Sequence, residues 1–112
     1  MSKQNIAIVG LGTKGTTLMN ALLAKKNSVN LACVVEPAET AGKAQAAAAG
    51  VKIGSIDELT AMGKDMDVIF DMTGNPSVVK ELRHKIMVAM NPHTVIATEA
   101  MTHLVWALVV DA

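Results

Sequence analysis

The chain has 112 residues, and its ten basic and ten acidic side chains give a formal net charge of zero at neutral pH. This length suits one domain, and the 51% share of hydrophobic residues is typical of a globular protein. Balanced charge and two aromatic residues, Phe70 and Trp106, argue against nucleic acid or an anionic membrane as a partner.

The first predicted elements are a strand at residues 6–9 and a helix, joined by a glycine-rich turn. The apolar run Ile-Ala-Ile-Val is followed directly by Gly-Leu-Gly-Thr-Lys-Gly. Glycines let the backbone approach a phosphate, and a helix N-terminus offers free N–H groups and a positive dipole end. The predicted contacts to a dinucleotide pyrophosphate are Gly10, Gly12, Thr13, Lys14 and Gly15. A P-loop fits poorly, because Gly15 is followed by two threonines instead of lysine.

The second predicted strand is the apolar run at residues 31–35, which Pro37 terminates. Glu36 follows this strand, 21 residues after Gly15. In dinucleotide-binding folds an acidic residue about 20 positions beyond the glycines holds the adenine ribose hydroxyls. A carboxylate there would repel a 2′-phosphate, so Glu36 favours NAD over NADP. The alternative interpretation of Glu36 is a solvated turn residue.

The remaining segments continue the alternation of helices and strands. Helices are predicted at residues 38–49, 55–62, 76–90 and 99–110, and strands at residues 51–54, 67–72 and 94–97. This pattern predicts an α/β fold with a doubly wound parallel sheet, five strands in the order 3-2-1-4-5 and helices on both faces.

The predicted strand order reverses between strands 1 and 4, and ligands of open α/β sheets bind at such a point. The crevice would lie between residues 10–15 and residues 73–76. Thr73, Gly74 and Asn75 are therefore candidate contacts to a ribose or to nicotinamide. Turn and helix-cap chemistry is an equally good interpretation of these residues. Asp71, which ends strand 4, is expected to have a structural role such as bonding loop amides.

The last predicted helix is apolar on more than one side. The side chains placed toward the sheet are Met101, Leu104, Val105, Leu108 and Val109, and those on another side are Trp106 and Val110. A helix that is apolar all round is usually buried on more than one face. We therefore expect a homo-oligomer, or a missing C-terminal domain that packs on this helix.

Other site chemistries have little support. The three histidines, His84, His93 and His103, show no ligand spacing with cysteine or a carboxylate cluster, so no metal site is predicted. His103 lies four residues after Glu99, which favours a surface pair over catalysis. The sequence shows no signal peptide and no membrane span, and its single cysteine, Cys33, can form no internal disulfide. These features predict a cytoplasmic protein without membrane contact.

The sequence resembles the N-terminal NAD-binding domain of homoserine and aspartate dehydrogenases and of glucose–fructose oxidoreductase-like enzymes. The resemblance rests on residues 9–15, Glu36 and residues 67–76 and 94–97, and it spans nearly the whole chain. It implies a single NAD(P)-binding Rossmann domain over residues 1–112. By resemblance, Gly10, Gly12 and Gly15 contact the pyrophosphate, Glu36 binds the ribose, and residues 73–75 form the wall beside nicotinamide.

The resemblance does not extend to the catalytic half of those enzymes. In those enzymes a second domain binds the substrate, and this chain ends where that domain would begin. The glucose–fructose oxidoreductase-like enzymes also have Glu-Lys-Pro after strand 5, where this chain has Glu99, Ala100 and Met101. We therefore expect the cofactor half for hydride transfer, inactive alone and with unknown catalytic residues. The alternatives are a non-catalytic nicotinamide-nucleotide-sensing module of a signalling protein and, with no clear role for Glu36, a CoA-binding domain.

Overall fold

The computed structural model describes residues 3–111, which form a five-stranded parallel sheet with flanking helices. The strands are β1 (Gln4–Val9), β2 (Val29–Val35), β3 (Ile53–Gly54), β4 (Val68–Asp71) and β5 (Val95–Ile96). The helices are α1 (Thr13–Leu23), α2 (Ala41–Ala48), α3 (Ile56–Ala61), α4 (Pro76–Val88) and α5 (Glu99–Val109), with a 3-10 turn at Gly63–Asp65. The order across the sheet is β3-β2-β1-β4-β5, with parallel pairing throughout. The predicted fold class and strand order are confirmed.

The core lies on both faces of the sheet, because successive strand side chains point in opposite directions. Ile8 of β1 belongs to the cluster that includes side chains of α1, α2 and α5. Its neighbours Ala7 and Val9 belong to the second cluster, with Leu59 of α3 and Leu82 of α4. Since helices cover both faces, the central strands read as continuous apolar runs in the sequence.

Two helix boundaries differ from the prediction by two residues or more. The helix expected from residue 38 begins at Ala41, because the Thr40 hydroxyl accepts a hydrogen bond from the N–H of Lys43 at 3.1 Å and caps α2 there. The helix expected to extend to Met90 ends at Val88. Met90 has a left-handed φ of +54° and is 85% exposed, so it does not extend the apolar stripe of α4.

The orientation predicted for α5 is partly wrong. Val105 and Val109 pack against the core as expected, but Trp106 packs there too. Three other residues placed toward the sheet are exposed instead: Met101 by 43%, Leu104 by 60% and Leu108 by 63%. Burying the large indole contributes more than burying a slender side chain, which favours this rotation of the helix.

Asp67 lies at the amino end of β4, at the opposite edge of the sheet from the predicted crevice. Its carboxylate accepts a hydrogen bond from the N–H of Asn5 at 2.7 Å and lies 2.6 Å from Nε2 of His93. The N–H of Asn5, and then the His93 ring, hold the pKa of Asp67 below its usual range. A carboxylate whose pKa is lower in the folded state stabilises that state above its unfolded pKa of about 3.9. That contribution is lost as the pH falls through the folded-state pKa.

Asp67→Asn is therefore expected to lower the Tm at neutral pH and to flatten the decline of Tm below about pH 4. Circular dichroism melts between about pH 2 and pH 7 measure both effects. Asp65→Asn is the matched control, because Asp65 accepts a hydrogen bond from Asn5 only through its backbone carbonyl. If Tm declined equally at low pH in Asp67→Asn and in the unmodified chain, the stabilising role of the Asp67 carboxylate would be contradicted.

Candidate functional site

The carboxyl ends of β1 and β4 open onto a crevice between two loops. Residues 10–12 connect β1 to α1, and residues 72–75 connect β4 to α4. The crevice lies where the strand order reverses, which is the usual ligand position of an open α/β sheet. The residues of this edge include every site residue predicted from the sequence: Gly10, Gly12, Thr13, Lys14, Gly15, Glu36, Thr73, Gly74 and Asn75.

The glycine turn is closed on one side and open on the other. Gly10 adopts φ +97°, which favours glycine. A Cβ at position 15 would lie 1.9 Å from the carbonyl oxygen of Gly10, so α1 leaves the turn with no room for a side chain. At Gly12, in contrast, a Cβ would meet no atom within 4 Å. The backbone is thus accessible from outside at Gly12.

The N-terminus of α1 has donors that no side chain caps. Gly12 is the N-cap residue and makes no side-chain hydrogen bond. The N–H of Thr16 donates to the carbonyl oxygen of Gly12 at 2.9 Å, so the N–H groups before it in the first turn point out of the helix. Lys14 lies in this turn, where the helix dipole makes a cation unfavourable. These donors, the added positive charge and the open backbone at Gly12 fit a pyrophosphate.

Glu36 connects the end of β2 to the glycine turn. Its Oε1 accepts a hydrogen bond from the N–H of Leu11 at 2.8 Å, and its Oε2 accepts one from the N–H of Ala38 at 3.0 Å. Glu36 is half-buried and faces the turn, in contrast to the solvated residue of the alternative interpretation.

The loop after β4 is ordered by a chain of side-chain hydrogen bonds. Oδ1 of Asp71 accepts from the N–H of Thr73 at 3.0 Å and from its hydroxyl at 2.7 Å. The Thr73 oxygen in turn accepts from the N–H of Asn75 at 3.1 Å. Oδ1 of Asn75 accepts from the N–H of Ser77 at 3.0 Å and caps α4. The structural roles expected of Asp71 and Asn75 are confirmed, and the Thr73 hydroxyl is engaged within the loop.

Two clefts flank these loops. The first, which we call the β2-side cleft, has a volume of about 860 Å³ and includes Gly12, Glu36 and Thr73 in its lining. The second, the β5-side cleft, has a volume of about 790 Å³ and includes Lys14 and Gly74. Asn75 lines both, so the loop after β4 stands between the clefts.

Part of the β5-side cleft was missed by sequence reasoning. Its wall on α4 includes Arg83, and its wall on α5 consists of Glu99, Thr102, His103 and Trp106. These four residues of α5 have the spacing of one helix face, but the sequence does not show that this face lies toward α4. Nε2 of His103 lies 3.9 Å from Oε1 of Glu99, which is the predicted surface pair.

Two kinds of feature are absent from residues 3–111. No group of three or more His, Cys, Asp or Glu side chains in this range is arranged to hold a metal ion. Within the same range, no helix has the length and apolar character needed to cross a membrane.

Comparison with protein families gives one match over most of the chain. The sequence model of an oxidoreductase family with an NAD-binding Rossmann fold matches residues 4–105. This range includes all nine predicted site residues, from Gly10 to Asn75. No curated protein matches the sequence.

Several solved structures share the fold. GenD2 from gentamicin A biosynthesis, solved in complex with NAD, is 19% identical over 99% of this chain, with a TM-score of 0.64. Homoserine dehydrogenase from S. aureus is 16% identical over 99%, with a TM-score of 0.63. The enzyme from Thiobacillus denitrificans is 17% identical over 95%, with a TM-score of 0.56. The chain spans only 32%, 31% and 27% of these three structures, respectively.

Proposed function

This chain belongs to the oxidoreductase family with an NAD-binding Rossmann fold, and we propose that it binds NAD at the first turn of α1 and, because of Glu36, in preference to NADP. The observation that carries the proposal is the uncapped first turn of α1, where the backbone at Gly12 is open and Lys14 adds positive charge. Thr13 and Gly15 complete this turn. The pyrophosphate binds there, between the two clefts.

The β2-side cleft takes the adenosine half, because Glu36 lies at the end of β2 and its carboxylate can accept hydrogen bonds from ribose hydroxyls. The nicotinamide half then lies in the β5-side cleft, beside Gly74 and Asn75. When bound, NAD supplies the hydride acceptor or donor. The residues of this chain bind and orient the cofactor, and we assign none of them an acid or base role in the hydride transfer.

The charges around the β2-side cleft support the preference for NAD. Its acidic lining residues are Glu36, Asp57, Glu58 and Glu81. The basic one is Lys43, whose Nζ pairs with Oε1 of Glu39 at 3.0 Å. The nearby Lys85 pairs with both Asp57 and Glu81. A 2′-phosphate would therefore meet carboxylates and lysines that already have partners.

A substrate domain completes the active site in this proposal, since the chain spans about a third of the solved oxidoreductases that share its fold. The chain is then a single cofactor-binding domain that is inactive alone. This interpretation is preferred to a nucleotide-sensing module because the matched family is one of oxidoreductases.

The exposed apolar stripe of α5 is the proposed contact surface for a second copy of the chain or for a further domain. Met101, Leu104 and Leu108 are spaced by three and four residues and are all exposed. A second copy or a further domain would cover them, and sedimentation at rising concentration distinguishes the two.

Cys33 is buried, unpaired within residues 3–111 and has a thiol pKa raised by burial. An unpaired thiol supports the proposed cytoplasmic location.

Calorimetric titration with NAD tests the function directly. We expect NAD to bind more tightly than NADP, and Lys14→Ala to weaken NAD by about tenfold, because one charged donor to the pyrophosphate is lost. Lys26→Ala is the matched control, since Lys26 lies beyond the opposite end of α1. The absence of heat and of a thermal shift with both nicotinamide dinucleotides would reject the proposal, and binding of CoA instead would favour a CoA domain.

A further inference from the structure

We propose that Glu36 is a positioning residue for the glycine turn, in addition to the ribose contact that the proposed function gives it. One carboxylate would then couple recognition of the adenine ribose to recognition of the pyrophosphate. The inference rests on the proposed function for its ligand, but its structural basis is independent of any ligand.

The turn is tied to β2 by two successive N–H groups. The N–H of Gly10 donates to the carbonyl oxygen of Val35 at 2.8 Å, as an extension of the sheet. The N–H of Leu11 donates to Oε1 of Glu36 at 2.8 Å. The second bond alone depends on a side chain, so residue 36 determines whether Leu11 is held against β2.

Leu11 is fixed from its other sides as well. Its carbonyl oxygen accepts a hydrogen bond from the hydroxyl of Thr16 at 3.1 Å, and the residue is only 1% exposed. Its carbonyl oxygen and Cβ lie 3.0 and 3.1 Å from the position that a Cβ on Gly42 would take. Gly12 follows Leu11 directly and begins α1. The position of Leu11 therefore sets where the open backbone at Gly12 faces the crevice.

The two roles of Glu36 are compatible. A carboxylate offers about four acceptor sites, and the N–H groups of Leu11 and Ala38 occupy one on each oxygen. The remaining sites can accept hydrogen bonds from ribose hydroxyls while the N–H of Leu11 stays bonded to Glu36. Removing the carboxylate would leave the Leu11 N–H without its acceptor inside the fold, and the turn would shift to satisfy it.

A nucleotide without ribose hydroxyls separates the two roles. We expect Glu36→Ala to weaken both ADP and 2′,3′-dideoxy-ADP by about tenfold or more, because both need the turn. Glu36→Gln keeps one side-chain oxygen for the Leu11 N–H, at the cost of the bond from the exposed Ala38 N–H, and should restore most of the binding of dideoxy-ADP. Asp65→Ala is the matched control, since it removes a carboxylate at the opposite end of the sheet, where Asp65 bonds Asn5 only through its backbone carbonyl. Equal affinity of Glu36→Ala and the unmodified chain for dideoxy-ADP would overturn the inference.

Amide hydrogen exchange at Leu11, measured by NMR without nucleotide, tests the hydrogen bond between Leu11 and Glu36 by itself. The Leu11 amide should be protected in the unmodified chain and in Glu36→Gln, and it should exchange at least about tenfold faster in Glu36→Ala. If Glu36→Ala does not fold, Glu36→Asp replaces it, because its shorter carboxylate also withdraws from Leu11. Unchanged protection overturns the inference. Failure of the unmodified chain to bind NAD or NADP would reject the proposed function but leave this exchange result intact.

Discussion

Replacing Gly15 by alanine is expected to cost at least about 3 kcal/mol of folding free energy, the upper part of the range for overpacking. The new Cβ would lie 1.9 Å from the carbonyl oxygen and 2.9 Å from the carbonyl carbon of Gly10. Neither atom can move away easily, because the N–H of Gly10 is bonded to Val35. We expect the Tm to fall by more than about 10 °C in a thermal melt.

Gly42→Ala is the matched control for this prediction. A Cβ at position 42 would also be too close to a neighbour, at 2.0 Å from Oγ1 of Thr16. That atom is the end of a side chain, which can rotate at the cost of its hydrogen bond to Leu11. The Tm should therefore fall less in Gly42→Ala than in Gly15→Ala. An equal or larger fall in Gly42→Ala would contradict the account of the turn.

The fold could be predicted from the sequence because its determinants are local. Each buried strand is a continuous apolar run, and each helix after β3 begins at a capping side chain such as Ser55, Asn75 or Thr98. Once strands and helices alternate, right-handed crossovers leave few possible strand orders. The position of Glu36 follows in the same way, since only the helix α1 and the strand β2 separate it from the turn.

The details that could not be predicted depend on packing between distant segments. The face of α5 that meets the core is decided by the burial of Trp106 against residues of other elements. The wall that Arg83 contributes to the β5-side cleft follows from the same packing. The bond between Glu36 and Leu11 joins residues 25 positions apart and has no signature in the spacing of either residue.

Gly12→Ala is expected to keep the fold and to abolish most NAD binding. No atom lies within 4 Å of the new Cβ, and the φ of −73° at Gly12 is accessible to alanine. The Tm should therefore stay within a few degrees of the unmodified chain, with a small loss because alanine is a poorer N-cap than glycine. The methyl group would occupy the space through which the pyrophosphate approaches the backbone, so the Kd for NAD should rise by about 100-fold or more.

Calorimetry and thermal melts on the three glycine variants together test this prediction, because they separate loss of binding from loss of stability. Gly12→Ala should lose binding alone, Gly42→Ala should lose some stability and less affinity than Gly12→Ala, since its Cβ crowds Leu11 and not the approach to Gly12, and Gly15→Ala should lose both. An undiminished affinity of Gly12→Ala for NAD would show that the pyrophosphate does not approach the turn at this residue. The expected separation would mean that Gly15 is glycine because the fold closes there, whereas Gly12 is glycine because a ligand needs the space.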